Sequence, residues 1–242
     1  MSDPAWNDKL LTDPHAVADK QRRVRDMFAA IAPAYDLNNR LHSLGRDQVW
    51  RRRAVRLARV SPGELVIDVA CGTGDLAMAF ERTGARVIGI DYTFEMLPIA
   101  RSKSESITWL QGDARALPLP DACADVVSIA FGIRNVQDPT RALGEFRRIL
   151  KPGGRLVILE FSKPTNPLLR WGNDFYTSRI MPHTATWISG DRSGAYKYLP
   201  KSVETFIDRL TMVRLMQDAR FGEVAQHPFT FGVCVCYVGR AA

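Results

Sequence analysis

From Leu65 the chain reads Leu-Val-Ile-Asp-Val-Ala-Cys-Gly-Thr-Gly-Asp. A near-continuous apolar run of this kind suits a strand buried on both faces of a parallel sheet. The closely spaced Gly72 and Gly74 let the backbone turn tightly and approach a ligand before a helix begins. Alternating units follow. The pattern predicts a helix after Gly74 carrying Leu76, Ala79 and Phe80, a strand over 86–90, a helix over 93–103, and strands over 107–111 and 125–131. Asp138-Pro139 then opens a helix with Leu143, Phe146 and Leu150 inward, and Lys151-Pro152-Gly153-Gly154 turns it into a strand over 155–161. This rhythm specifies an α/β fold with a Rossmann-like, doubly wound sheet.

The flanks carry less information. Residues 13–32 read as a helix with Val24, Met27, Phe28 and Ile31 in one stripe, ended by Pro33. Residues 34–39 read as an irregular connection, and 47–59 as a second helix. Prolines, aromatics and short polar pieces interrupt the pattern over 163–200, where an acceptor pocket is expected. A final helix is predicted from Ser202 through Phe206, Leu210 and Val213. Strands near 222–226 and 231–238 would form an antiparallel edge hairpin. The expected organisation is one domain over 1–242: a helical cap (1–60), a cofactor-binding core (61–162), an acceptor-side insertion (163–201), and a closing helix and strands (202–242).

The 242 residues can bury a large core, and 46% hydrophobic with 24% charged is ordinary for a globular chain. No window supplies the roughly 18 apolar residues needed to cross a bilayer. The first six residues lack the pattern of a secretory signal, so a cytoplasmic location is expected. Cys71, Cys123, Cys234 and Cys236 have no metal-site spacing and read as reduced thiols; Cys234 and Cys236 would share one face of a strand. The net charge of +7 is compatible with nucleic acid, an anionic membrane or an acidic ligand, and alone selects none.

The charges around the glycine loop do select a ligand. Gly72-x-Gly74-x-x-Ala77 loosely satisfies a dinucleotide fingerprint, but Asp68 and Asp75 flank it. One carboxylate about 5 Å from a phosphate charge opposes binding by roughly 3 kcal/mol at an effective dielectric of 20. S-adenosylmethionine (SAM) has no phosphate and carries a sulfonium and an ammonium, which carboxylates favour. Asp91, closing the second strand, is placed to accept from ribose hydroxyls, and Asp113 in Gln111-Gly112-Asp113-Ala114 to meet the adenine amino group. The set points to a SAM-dependent methyltransferase. Capping by Asp75 and strand termination by Asp91 are the structural alternatives.

These residues resemble the UbiE/MenG quinone C-methyltransferases. The likeness runs from about residue 25 to the C-terminus: Ala32-Pro33-Ala34-Tyr35-Asp36 with Ser43-Leu44-Gly45 and Trp50, Phe131-Gly132-Ile133-Arg134-Asn135, Leu159-Glu160-Phe161-Ser162-Lys163-Pro164, and Tyr196-Lys197-Tyr198-Leu199-Pro200-Lys201-Ser202. Cys71, Asp113 and Ala130 depart from common family residues, as does the stretch after Ser202. The resemblance implies class I methyltransferase architecture and methylation of a ring carbon on a polyprenylated quinol in menaquinone or ubiquinone biosynthesis. It makes Thr73, Asp91, Asp113 and Ala114 cofactor contacts, beside Asp68, Gly72 and Gly74 from the loop.

Such chemistry needs a ring held in line with the methyl donor and its phenolate charge stabilised. Arg134, just after the fourth strand, is the expected phenolate partner, set against a structural ion pair; Asn135 is expected to orient a quinol oxygen. His183 is a candidate base, set against a surface role, and Tyr35, Tyr176 and Tyr196 are candidate pocket walls. Arg51, Arg52, Arg53, Arg56 and Arg59 read as a solvated helix face or a peripheral membrane contact. No nucleic-acid partner is expected, since Ala130-Phe131-Gly132-Ile133 lacks the N/D-P-P-Y motif of amino-methylating enzymes. A nicotinamide oxidoreductase, a non-catalytic binding module and a methyltransferase of another small acceptor are the competing classes. Oligomeric state is left open.

Overall fold

The computed structural model describes residues 5–191 and 193–242. Its centre is a seven-stranded sheet. The strands are β1 (Leu65–Val69), β2 (Arg86–Asp91), β3 (Thr108–Gln111), β4 (Ala124–Ala130), β5 (Leu150–Phe161), β6 (Phe221–Phe229) and β7 (Cys234–Ala241). Their order is β3-β2-β1-β4-β5-β7-β6, with β1 to β5 parallel and β7 antiparallel to both β5 and β6. The strand order reverses between β1 and β4, where doubly wound sheets open a crevice at their carboxyl edge.

The helices are α1 (Lys20–Ile31), α2 (Tyr35–His42), α3 (Arg46–Ala58), α4 (Asp75–Glu81), α5 (Met96–Lys103), α6 (Pro139–Ile149), α7 (Pro167–Phe175), α8 (Met181–Ser189), α9 (Ala195–Thr205) and α10 (Arg209–Asp218). The period-2 alternation of the strands divides the core in two. Ile67, Val127, Ile158 and Val235 face one side with Phe146 of α6 and Met212 and Met216 of α10. Val66, Val126, Val157, Cys234 and Cys236 face the other with Trp50 of α3 and Phe80 of α4. Cys234 and Cys236 thus share a face, buried and unpaired. A third cluster joins Trp6, Met27 and Ile31 to Ala185, Tyr196 and Tyr198, closing the N-terminal helices onto α8 and α9.

Several boundaries depart from expectation for local reasons. The first helix starts at Lys20, because the Asp13 carboxylate accepts from the backbone N–H groups of His15 and Ala16 and holds a turn there. Pro33 does not end helical structure. It sits at the start of a 3-10 turn, Ala32–Ala34, where a missing N–H does no harm, and the supposedly irregular 34–39 enters α2. Between β4 and β5 the pairing passes from Ala124–Leu150 to Val126–Arg155, so 151–154 loop out as a bulge. The interrupted segment is mostly helical, with Asn166 capping α7 and Pro167 in its first turn. The single helix expected from Ser202 is two: Phe206 is extended, and Asp208 caps α10 by accepting from Thr211 N–H.

Candidate active site

Beyond β1 the chain enters a left-handed bend at Ala70 (φ 52°), then at Gly72 (φ 54°) and Gly74 (φ 86°). Across the switch point, Phe131 at the end of β4 is also left-handed (φ 57°). Two strained non-glycine positions facing one another are typical of a site whose surroundings over-determine the backbone. The loops approach closely: a Cβ on Gly132 would lie 2.7 Å from that of Ala70. A cleft open to solvent lies between them. A smaller adjoining space lies beside Asp68, Thr73 and Arg51.

Asp68 is 1% exposed; Ser128 Oγ donates to its Oδ1 at 2.7 Å, and its Oδ2 has no partner. Burial pushes its carboxyl up to about 7 despite that hydrogen bond and the nearby Arg51. Asp91 accepts from Thr93 N–H and Gly72 N–H, each at 2.7 Å, which ties the end of β2 to the glycine loop. Burial still leaves its carboxyl raised. Each Asp91 oxygen has a lone pair left for a hydroxyl donor. Thr73 Oγ1 donates to Asp36 at 2.5 Å, and Lys103 pairs with both Asp36 and Asp75. Burial alone would raise the Asp75 carboxyl; the Lys103 hydrogen bond and the Arg51 charge take it below its ordinary value. Asp75 therefore braces the loop rather than capping α4.

Gly72, Asp91, Asp113 and Ala114 line the main cleft, and Asp68, Gly72 and Thr73 the smaller space. Gly74 faces neither; its missing side chain makes room for the Trp109 ring, 2.5 Å from where a Cβ would stand. Asp113 is already engaged by Arg115 and, at 2.7 Å, by Gln21 Nε2 of α1.

The catalytic candidates separate. Asn135 lines the cleft; its amide donates to Phe131 O at 3.2 Å and its Oδ1 accepts from Tyr198 OH at 3.0 Å. Arg134, expected to face a phenolate, turns into the protein and is 3% exposed. Its Nη1 donates to Glu160 Oε1 at 2.6 Å and Phe131 O at 2.7 Å, and its Nε to Ser202 Oγ at 3.1 Å. A buried carboxylate from β5 thus outcompetes the cleft for this guanidinium. His183, the candidate base set against a surface role, is exposed on α8 and lines neither space.

Tyr35 lines both spaces, whereas Tyr196 OH accepts from Asn38 Nδ2 in the third core cluster and Tyr176 OH meets His42 Nδ1 at 2.9 Å. Arg51 leaves the expected solvated row: it is 7% exposed, pairs with Asp47 at 2.6 Å and stacks over Phe131. Arg52, Arg53, Arg56 and Arg59 remain exposed. The sequence reading missed Gln21, Val24, Arg25 and Phe28, by which α1 roofs the cleft; its amphipathic stripe marked a buried face but not the crevice beneath it.

The residues fit a cationic nucleoside. The unpartnered Asp68 Oδ2 suits an ammonium, Asp91 suits vicinal hydroxyls, and Met96, Gly112 and Ala114 form apolar walls for a flat base. The same carboxylates oppose a pyrophosphate. Among the described residues no cluster of His, Cys, Asp and Glu could hold a metal.

The ubiE/COQ5 methyltransferase family model matches residues 16–241. A demethylmenaquinone methyltransferase of Thermus thermophilus is 46% identical over 219 residues, covering 88% of this chain and 99% of that protein. A ubiquinone/menaquinone biosynthesis C-methyltransferase UbiE of Geobacter sulfurreducens is 42% identical over 235 residues, covering 93% and 91%. A solved SAM-dependent methyltransferase of Thermotoga maritima superposes with a TM-score of 0.65 over 90% of this chain and 100% of its own, at 22% identity, a likeness of fold alone. The [4+2]-cyclase SpnF matches with a TM-score of 0.61 at 16% identity over 81% of each chain, so this fold does not by itself dictate a reaction. With the motif loops at one cleft and the family model spanning nearly the whole sequence, the chain belongs to the ubiE/COQ5 family of SAM-dependent methyltransferases.

Proposed function

We propose that this enzyme methylates a ring carbon of a polyprenylated quinol in menaquinone or ubiquinone biosynthesis, with SAM as donor. The observation that carries the reading is the lining of the main cleft. Asp91 and Asp113 line it together with Gly72, and so do the aromatic side chains of Phe28, Tyr35 and Phe131 and the Asn135 amide. Such walls suit a flat hydroxylated ring, and the Thermus and Geobacter relatives are named for quinone methylation.

When bound, SAM supplies an electrophilic methyl group on a sulfonium. Asp68 would hold its ammonium, Asp91 its ribose, and the Gly112–Ala114 wall its base. A quinol ring carbon becomes nucleophilic as a neighbouring hydroxyl gives up its proton to solvent water, and the ring carbon that gains the methyl group then loses its own proton to water to restore the aromatic ring. The second N–H of the Asn135 amide, left over from its bond to Phe131 O, would donate to a quinol oxygen. Arg134 acts one step back, fixing the Phe131 carbonyl that Asn135 also uses. Holding ring and donor in register is the largest contribution open to such a site, on the order of 7–11 kcal/mol for well-oriented partners.

Because the acceptor carries a lipid tail, the enzyme works as a peripheral protein at the membrane surface. Among the described residues no helix is long and apolar enough to cross a membrane.

The deciding assay offers purified protein, SAM and chemically reduced demethylmenaquinol or demethylated benzoquinol, with products read by mass spectrometry. One methyl on ring carbon in either supports the proposal, and the preferred ring names the pathway. No product from either, with cofactor binding intact, overturns the quinol assignment.

A further inference from the structure

Exposed apolar stripes run along α2, α7 and α8, with α2 packed against α8 and α7 running into it through the turn Tyr176–Ile180. Leu37, Leu41 and Leu44 are four and three residues apart along α2 and its end, and Leu44 is 87% exposed. Leu168, Trp171 and Phe175 repeat at three and four along α7, a helix in which no residue is buried. Trp171 and Phe175 stack with ring centroids 6.1 Å apart, leaving Trp171 69% exposed. Ile180 and Trp187 continue the surface along the π-helical turn Tyr176–Ile180 and α8, with Trp187 86% exposed. The hydrogen bond between His42 and Tyr176 joins α2 to this helical run. Globular proteins rarely leave so many large apolar side chains together in water.

The charges around the stripes name the occupant. Arg40, Arg46, Lys163, Arg170 and Arg179 are exposed on the same elements and their flanks. Asp174 is the exposed acid on α7, and it faces Arg170 at 3.8 Å. A protein partner recognised through apolar stripes alone would not require this one-sided cationic rim. Tryptophan, leucine and phenylalanine ringed by arginine are the composition of a helix lying in the headgroup region of an anionic bilayer.

We infer that α2, α7 and α8 form a docking face for an anionic lipid surface, with Trp171, Phe175 and Trp187 entering the headgroup region. The inference rests on the quinol reading only for its purpose, since a docked enzyme could take the ring into its cleft while the prenyl tail stays in lipid. It also moves the membrane contact from the arginine row Arg52, Arg53, Arg56 and Arg59 to α2, α7 and α8.

The test uses the whole protein with vesicles of phosphatidylcholine, alone or mixed with phosphatidylglycerol. Wild type should co-float with the mixed vesicles and less with phosphatidylcholine alone, and brominated lipid should quench its tryptophan emission. Trp171→Ser with Phe175→Ser, and separately Trp187→Ser, should weaken flotation by roughly tenfold or more, while charge reversal of Arg52, Arg53 and Arg56 should leave it near wild type. Both serine variants should methylate a tail-less quinol at the wild-type rate and lose turnover on a long-tailed quinol in vesicles. No vesicle binding by wild type, unchanged binding by both variants, or sedimentation showing a dimer that the substitutions dissolve would overturn the inference. Failure of wild type to methylate the tail-less quinol would instead count against the quinol reading and leave the flotation result to stand alone.

Discussion

Arg134 Nη1 lies 2.6 Å from Glu160 Oε1, with both side chains buried beneath the loop that carries Asn135. Burial pushes the Glu160 carboxyl up and the Arg134 charge pulls it back. From the other side, Lys20 Nζ of α1 donates to the Arg134 and Val136 carbonyls, each at 2.8 Å. The loop is therefore clamped between β5 and α1, and the cleft receives the Asn135 amide rather than the guanidinium.

Breaking one side of this pair should leave a buried charge alone. Arg134→Leu is expected to lower stability by about 3–5 kcal/mol, and Arg134→Leu with Glu160→Leu to recover much of the loss. Urea unfolding of the two single variants and the double variant gives the coupling. A stable Arg134→Leu protein with abolished turnover would instead mean that the guanidinium reaches the acceptor.

The raised Asp68 carboxyl should link cofactor binding to pH. The folded protein holds this proton up to about 7 whereas an exposed carboxyl loses it near 3.8, so the stability this group contributes without cofactor is present at low pH and is lost as pH rises through about 7. Binding an ammonium requires the ionised form, so SAM affinity should rise by roughly tenfold per pH unit below about 7 and then level off. Calorimetric titration across that range should show the slope, and Asp68→Asn should bind weakly with the slope removed.

Two neighbouring glycines should fail differently. At Gly74 a Cβ would stand 2.5 Å from the Trp109 ring with φ at +86°, so Gly74→Ala should cost about 1–3 kcal/mol of stability. At Gly72 the nearest atom is Tyr35 Cε1 at 3.9 Å, on the cleft wall. Gly72→Ala should cost about 1 kcal/mol of stability from its backbone angle and lose more in SAM affinity. Denaturant melts and cofactor titrations on both variants separate the two effects.

Burial, with the Arg134 charge adding to it, pushes the Lys20 ammonium down to about 8 from 10.5. The unfolded chain keeps that proton to higher pH, so between these values the contribution of Lys20 to stability rises with pH. Lys20→Met should flatten the slope in unfolding experiments run across the window. An unaltered slope would mean that Lys20 keeps its ordinary affinity for the proton.

Much of the core and its glycine crevice was legible because the signals are local. Apolar runs mark buried strands, glycine pairs mark left-handed turns, and Asp138-Pro139 marks a helix start whatever packs around it. The same reading failed at Pro33, where a proline opens a turn as readily as it closes a helix, and past Ser202, where an apolar periodicity continued across the extended Phe206. Asp68, Asp91 and Asn135 reach the cleft or the space beside it because strand ends and their loops converge at the switch point, a consequence of topology that alternation already implies.

Which way Arg134 turns depends on Glu160, 26 positions on in a neighbouring strand, and on Ser202 in α9. The roof over the cleft depends on α1 returning to Gln137 and Asp113. The sequence by itself determined the sheet, the glycine crevice and the kind of ligand its carboxylates favour, since these follow from period, turn chemistry and charge along a short stretch. Only the tertiary structure decided the partner of each buried charge and the side chain that lines the cleft, because a desolvated group takes whichever partner packing brings within hydrogen-bond reach.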